Sequence, residues 1–113
     1  MALTAARARK LILGLANVGE APHFDRVAFR TPRRIFATLA SDGADVNFMF
    51  GPFEQEMFCE MAPHALAPVP GGWGRMGATR CDLKQVDQAT FIAALEAAHA
   101  RASQPRKERS AKR

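Results

Sequence analysis

The stretch RTPRRIFATLASDGADVNFMF, residues 30–50, decides the fold. Two runs of β-formers, Ile35–Ala40 and residues 45–50, stand on either side of Ser41-Asp42-Gly43. Alternation along a strand places Ile35, Ala37 and Leu39 on one face, and Val46 and Phe48 on one face of the next run. Gly43 supplies the positive φ that a tight hairpin demands. Upstream, residues 23–30 carry Phe24, Val27 and Phe29 and end in the turn Thr31-Pro32-Arg33-Arg34, so a third strand precedes the pair. Strands joined by links this short are antiparallel, because a parallel return needs a crossover of about a dozen residues.

Working outward, residues 3–18 predict a helix with Leu11, Leu15 and Val18 on one stripe and Arg7 and Lys10 on a neighbouring face. Gly19 supplies its stop and Pro22 follows. Gly51-Pro52 opens a second helix, with proline at the first position where its missing N–H costs nothing. Its expected buried stripe is Phe53, Met57 and Met61, spaced at four residues; Glu54 and Glu56 sit in its first turns, where the helix dipole favours negative charge. It ends by Ala62, since Pro63 disfavours helical backbone in the residue before it. Residues 65–69 form at most an edge strand and residues 75–83 a fuller one. Asp87 caps a last helix that runs to about Ala102 with Phe91, Leu95 and Ala98 inward. The order is α-β-β-β-α-β-β-α. It predicts a two-layer α+β domain over residues 1–102, an antiparallel sheet with its helices on one face. Residues 103–113, with Ala111 their only apolar residue after Ser103, are expected to be a disordered basic tail.

The 113 residues allow one domain and exclude folds that need more chain, such as a TIM barrel or a two-half dinucleotide fold. A hydrophobic share of 48% excludes wholesale disorder. The net charge of +5 is unevenly placed. Up to Ala102, eleven Lys/Arg face ten Asp/Glu; beyond it Arg106, Lys107, Arg109, Lys112 and Arg113 face only Glu108. The pI near 10.0 therefore belongs mostly to the tail. Such a tail adds sequence-independent attraction to nucleic acid, or serves only to solubilise. Cys59 and Cys81 show no CxxC spacing and read as small apolar side chains in a reducing compartment. The apolar stretch from Leu11 to Val18 after Arg7, Arg9 and Lys10 is short for a secretory signal, holds Asn17 and ends at Gly19-Glu20 without a small-x-small cleavage site. No segment approaches the ~20 apolar residues of a membrane span, so the expected location is the cytoplasm.

Gly72-Trp73-Gly74-Arg75-Met76-Gly77 matches the dinucleotide pattern GxGxxG in letters only. That motif must leave a strand and open a helix within a βαβ unit, whereas here the glycines lead toward a strand. Trp73 then covers the core or one sheet face, or offers a platform on which a base stacks. His23, His64 and His99 are scattered, and with the two cysteines they lack the spacing of a zinc site, so no metal and no cofactor is expected. No nucleophile elbow, HExxH motif or P-loop is present, and no residue stands out as catalytic, so the expectation is not an enzyme. Arg33 and Arg34 occupy a turn, Arg75 and Arg80 bracket the last strand, and Lys84 follows it. Arginines on protruding turns can reach phosphates, where the planar fork makes paired bonds, although exposed turns are polar in any case.

Taken together, FRTPRRIFATL (residues 29–39), Asp42-Gly43, the Val46-Asn47-Phe48 strand, the helix after Pro52, the Gly72-Trp73-Gly74 loop and the Asp87 cap resemble the MmcQ/YjbR family of small bacterial proteins. The resemblance spans roughly residues 11–102. It implies an α+β domain related in shape to frataxin and secretion-chaperone folds, and DNA binding through a "double wing" of two projecting hairpins. Carried onto this chain, residues 31–34 are one wing and residues 70–75 the other. The expected DNA contacts are Arg33, Arg34, Trp73, Arg75, Arg80 and Lys84, weak and largely independent of sequence. The alternative is a protein-interaction or self-association module that uses a sheet face or edge. The iron-binding ridge of frataxin has no counterpart, because the first helix carries no acid before Glu20.

Overall fold

The computed structural model describes residues 3–104. In chain order these form α1 (Ala5–Leu13), β1 (Gly19–His23), β2 (Arg26–Arg30), β3 (Ile35–Ala40), β4 (Asp45–Met49), α2 (Pro52–Met61), β5 (Leu66–Pro68), α3 (Gly72–Arg75), β6 (Ala78–Asp82) and α4 (Gln88–Ser103). The six strands make one sheet in the order β1-β2-β3-β4-β6-β5, every neighbouring pair antiparallel. This is the α+β architecture the hairpin pattern predicted.

Register explains where the core sits. Ala37 pairs with Phe48, Leu39 with Val46, Val46 with Cys81 and Phe48 with Thr79, so these side chains share one face. Phe91, Ala94, Leu95 and Ala98 of α4 and Ala8 and Ile12 of α1 are buried in the same layer. A chain of aromatic contacts runs through it, with ring centroids 5.5 Å apart for Phe91 and Phe48, 5.6 Å for Phe48 and Phe50, and 5.1 Å for Phe50 and Phe58. The other sheet face carries polar residues at its centre. There Asp45 accepts from Arg26 at 2.6 Å and from Arg80 at 3.1 Å, and Arg26 also donates to Thr38 Oγ1 at 2.7 Å.

Several local expectations are corrected. The strand expected over residues 23–30 begins only at Arg26, as β2, and residues 19–23 form an unexpected strand β1 paired with it, His23 opposite Arg26. The two-residue turn between them puts Phe24 at φ 59°, the position usually given to glycine, and leaves that ring 94% exposed. The β-forming character of phenylalanine therefore misled. Helix α1 stops at Leu13, where Gly14 N–H bonds Lys10 C=O, and Asn17 at φ 61° turns the chain into β1. Leu15 and Val18 still pack on the core, but from a turn rather than from a helical stripe.

In β3 a register shift opposite Phe29 and Arg30 inserts Phe36 as a bulge. Phe36 thereby joins Ala37 and Leu39 on the helix side, fully buried and edge-on to His99, while Ile35 moves to the open face. The expected buried stripe of α2 is the exposed one: Phe53, Met57 and Met61 are 73%, 41% and 54% accessible. Gln55 anchors the opposite side of α2 by donating to Gly74 C=O at 2.8 Å and Ala78 C=O at 3.1 Å, which turns Phe58 and Ala62 inward. The strand expected over residues 75–83 begins only at Ala78, since Gly72–Arg75 is one helical turn. Helix α4 includes Ser103 and is capped by Gln104, against the expectation of disorder there; residues 105–113 of the predicted tail lie outside the described residues.

Candidate nucleic-acid interface

Strands β3 and β6 both run antiparallel to β4, so they begin at the same end of the sheet. The turn before β3, at residues 31–34, and α3 before β6 therefore lie at that same end, on either side of β4. The turn is compact. Thr31 Oγ1 accepts from Arg33 N–H at 3.1 Å and Arg34 N–H at 3.2 Å, and donates to Ala102 C=O at 2.9 Å. That last bond fixes the C-terminus of α4 on the same end, so the five cationic residues that follow Gln104 in the sequence attach there. Arg33 is exposed and Arg34 half-buried.

Helix α3 depends on two close backbone approaches. A Cβ on Gly74 would lie 1.7 Å from Val69 O, and one on Gly77, at φ +112°, would lie 1.9 Å from Phe50 O. The glycines that resemble a nucleotide motif thus serve backbone packing. They hold Trp73, Arg75 and Met76 on the exposed side, Trp73 at 58% and Met76 at 77% accessible. Of the two expected wings, one is a turn clamped to α4 and the other a single helical turn.

Beside them lies a groove of about 420 Å³, lined by Ile35, Thr38, Met49, Phe50, Trp73, Met76, Ala78 and Arg101 and, from the far end of the strands, by His23. The half-buried Arg101, from the last turn of α4, makes no ion pair among the described residues. Glu54 approaches the same stretch of backbone at Gly51 without pairing with it.

The structure brings together Arg33, Arg34, Trp73 and Arg75, but not the other two expected contacts. Arg80 lies within β6 on the open face, with its charge matched by Asp45 at 3.1 Å and Asp82 at 4.0 Å. Lys84 follows β6 at the opposite end, where Asp25, Asp42, Asp82 and Asp87 also cluster by topology. These four aspartates thus lie at the end away from Arg33, Arg34 and Arg75, while Glu20, paired with Arg9, and Glu54 lie at the arginine end. Sequence reasoning missed Arg101 and Met76 as members of the groove. Arg101 is remote in the chain, and the packing of α4 on the sheet, with the Thr31–Ala102 hydrogen bond, brings it in.

His99 Nε2 lies 2.9 Å from Ala16 O. Burial, followed by the nearby Asp82, pushes the Cys81 thiol up to about 12, and burial also raises that of Cys59. Among the described residues no three His, Cys, Asp or Glu side chains gather as a metal site, and no helix is long and apolar enough to cross a membrane.

No family model matches the chain, and no curated protein sequence matches it. The crystal structure of Deinococcus radiodurans protein DR2400, a DUF419 domain, is similar with a TM-score of 0.76 and 14% sequence identity. The alignment covers 95% of this chain and 83% of that one. At this identity the likeness shows the fold alone.

Proposed function

We propose that this chain is a non-enzymatic nucleic-acid-binding domain of the MmcQ/YjbR kind, acting in the reducing cytoplasm through phosphate contacts at the cationic end of its sheet. One observation carries this: the fold gathers Arg33, Arg34 and Arg75 at the end from which the basic C-terminal residues depart. Three guanidiniums on rigid turns suit phosphate oxygens, which they bond in paired fashion. The acidic opposite end orients the domain toward a polyanion and disfavours contact at Lys84. Both cysteines are free, in keeping with a reducing compartment.

A salt-titrated binding assay with duplex and single-stranded DNA tests the proposal. Each phosphate contact contributes about −0.9 to the log–log slope for duplex, so three contacts contribute roughly −2.7. Removing residues 105–113 leaves every described contact intact and should lower both affinity and slope. Replacing Arg33, Arg34 and Arg75 with Ala in the shortened chain should abolish what remains. A shortened chain with no affinity at low salt would assign binding to the tail alone and refute the domain's part.

A protein-interaction role is favoured by a different observation, the exposed Phe53, Met57 and Met61 stripe on α2. The β5 edge is a poorer candidate, since it is three residues long and ends on Pro68. Concentration-dependent size in sedimentation, lost on replacing the stripe with Ala, Gln and Gln, would support self-association through α2; a monomer at all concentrations would remove it.

A further inference from the structure

The groove at the cationic end does something that phosphate contacts leave unexplained, and the inference rests on the phosphate reading above. We infer that it is a base-binding site, in which an unpaired nucleobase of single-stranded nucleic acid stacks on Trp73 while the flanking phosphates are held by Arg34, Arg75 and Arg101.

Three observations lead there. Trp73 and Met76 are large apolar side chains that do not serve the core. They stay 58% and 77% accessible although Gly74 and Gly77 allow the backbone beneath them to pack tightly. An indole face left open on a rigid support is a stacking platform, and every base has a π-face to offer it. Next, the groove has a volume of about 420 Å³, within the range of sites that take a small ligand or one nucleotide-sized group. It is also mostly apolar, which suits a base and not a phosphate.

The third observation is the placement of charge. Arg34 immediately precedes Ile35 in one wall, Arg75 stands between Trp73 and Met76 in the other, and Arg101 lines the groove itself without an ion-pair partner among the described residues. Arg101 thus brings a guanidinium into the apolar lining, and Arg34 and Arg75 adjoin lining residues in the chain, which suits phosphates lying beside an inserted base. In a duplex the bases are stacked and paired, and their faces are closed to Trp73. The groove thus predicts a preference for single strands that arginines on turns alone would not produce.

The test uses the full chain and three probes of equal length: an oligodeoxyadenylate, the corresponding abasic sugar–phosphate oligomer, and the duplex. Binding is followed by anisotropy of a labelled probe and by intrinsic fluorescence, to which Trp73 contributes as the only tryptophan. The base-bearing strand should bind more tightly than the abasic one and change Trp73 emission saturably; the abasic strand should leave the emission unchanged. Trp73→Ala should reduce the preference for bases by roughly 5- to 150-fold, and Trp73→Phe should retain part of it. The emission change in the unmodified protein needs no folded variant. Equal binding of base-bearing and abasic strands, or a preference that survives Trp73→Ala, would overturn the base site while leaving phosphate binding in place. Failure of all three probes to bind at low salt would overturn both.

Discussion

Phe58→Ala, set beside the triple change of Phe53, Met57 and Met61 to Ala, tests the orientation of α2, on which α3 and the groove depend through Gln55. Phe58 is 3% exposed and stacks on Phe50 with centroids 5.1 Å apart and rings inclined by 17°. Truncating such a ring removes its transfer free energy and leaves a cavity, together about 3–5 kcal/mol. For a domain of this size about 1 kcal/mol moves the melting point by roughly 4–8 °C, so a loss of at least about 12 °C is expected. The triple variant deletes more apolar surface in total, but from side chains 73%, 41% and 54% accessible, and alanine is the better helix former. It should cost about 1 kcal/mol or less, most of it from Met57. Urea denaturation followed by far-UV circular dichroism measures both, with the slope against urea confirming that the unfolded states are comparable. A triple variant that loses more stability than Phe58→Ala would refute the orientation and restore the stripe to the core.

Asp45→Ala should destabilise by about 2 kcal/mol in the same assay, because it leaves Arg26, 20% exposed, and Arg80 without their shared carboxylate; an unchanged midpoint would make the pair dispensable. Gly77→Ala should destabilise severely, since its Cβ would meet Phe50 O at 1.9 Å at a φ of +112°; a folded variant with unchanged Trp73 emission would contradict the close approach. The Cys81 thiol, raised from 9.0 to about 12 by burial, stays protonated in the fold, whereas the unfolded chain releases that proton near pH 9. Its contribution to stability is therefore complete below pH 9 and lost as pH rises toward 12. Cys81→Ala should flatten the fall in urea midpoint over that window, and an identical pH profile would exclude Cys81 as its source.

Strand order in the middle of the sheet and the last helix were legible from residues alone. Ser41-Asp42-Gly43 defines a hairpin locally, because the positive φ at Gly43 and the short link admit no other pairing. Asp87 likewise caps α4 within four residues, its carboxylate accepting from Thr90 N–H at 2.7 Å. Those features depend on interactions between near neighbours in the chain. The orientation of α2 does not. Its sequence offers an apolar face of Phe53, Met57 and Met61 and another of Phe58, Cys59 and Ala62, and helical periodicity cannot choose between them. Gln55 chooses, through bonds to Gly74 and Ala78 that exist only once β6 and α3 are in place.

The candidate site divides in the same way. Arginines on turns and a lone tryptophan among glycines mark Arg33, Arg34, Trp73 and Arg75 in the sequence. Which cations stand together is a matter of strand direction. Two strands antiparallel to β4 put their starts at the same end, on either side of it, and send Lys84 to the far end, while Arg80 is matched by Asp45 across the ladder. Arg101 enters from the helix layer through a hydrogen bond spanning 71 positions. Local chemistry is written in adjacent residues; the groove and its charge exist only where distant segments meet.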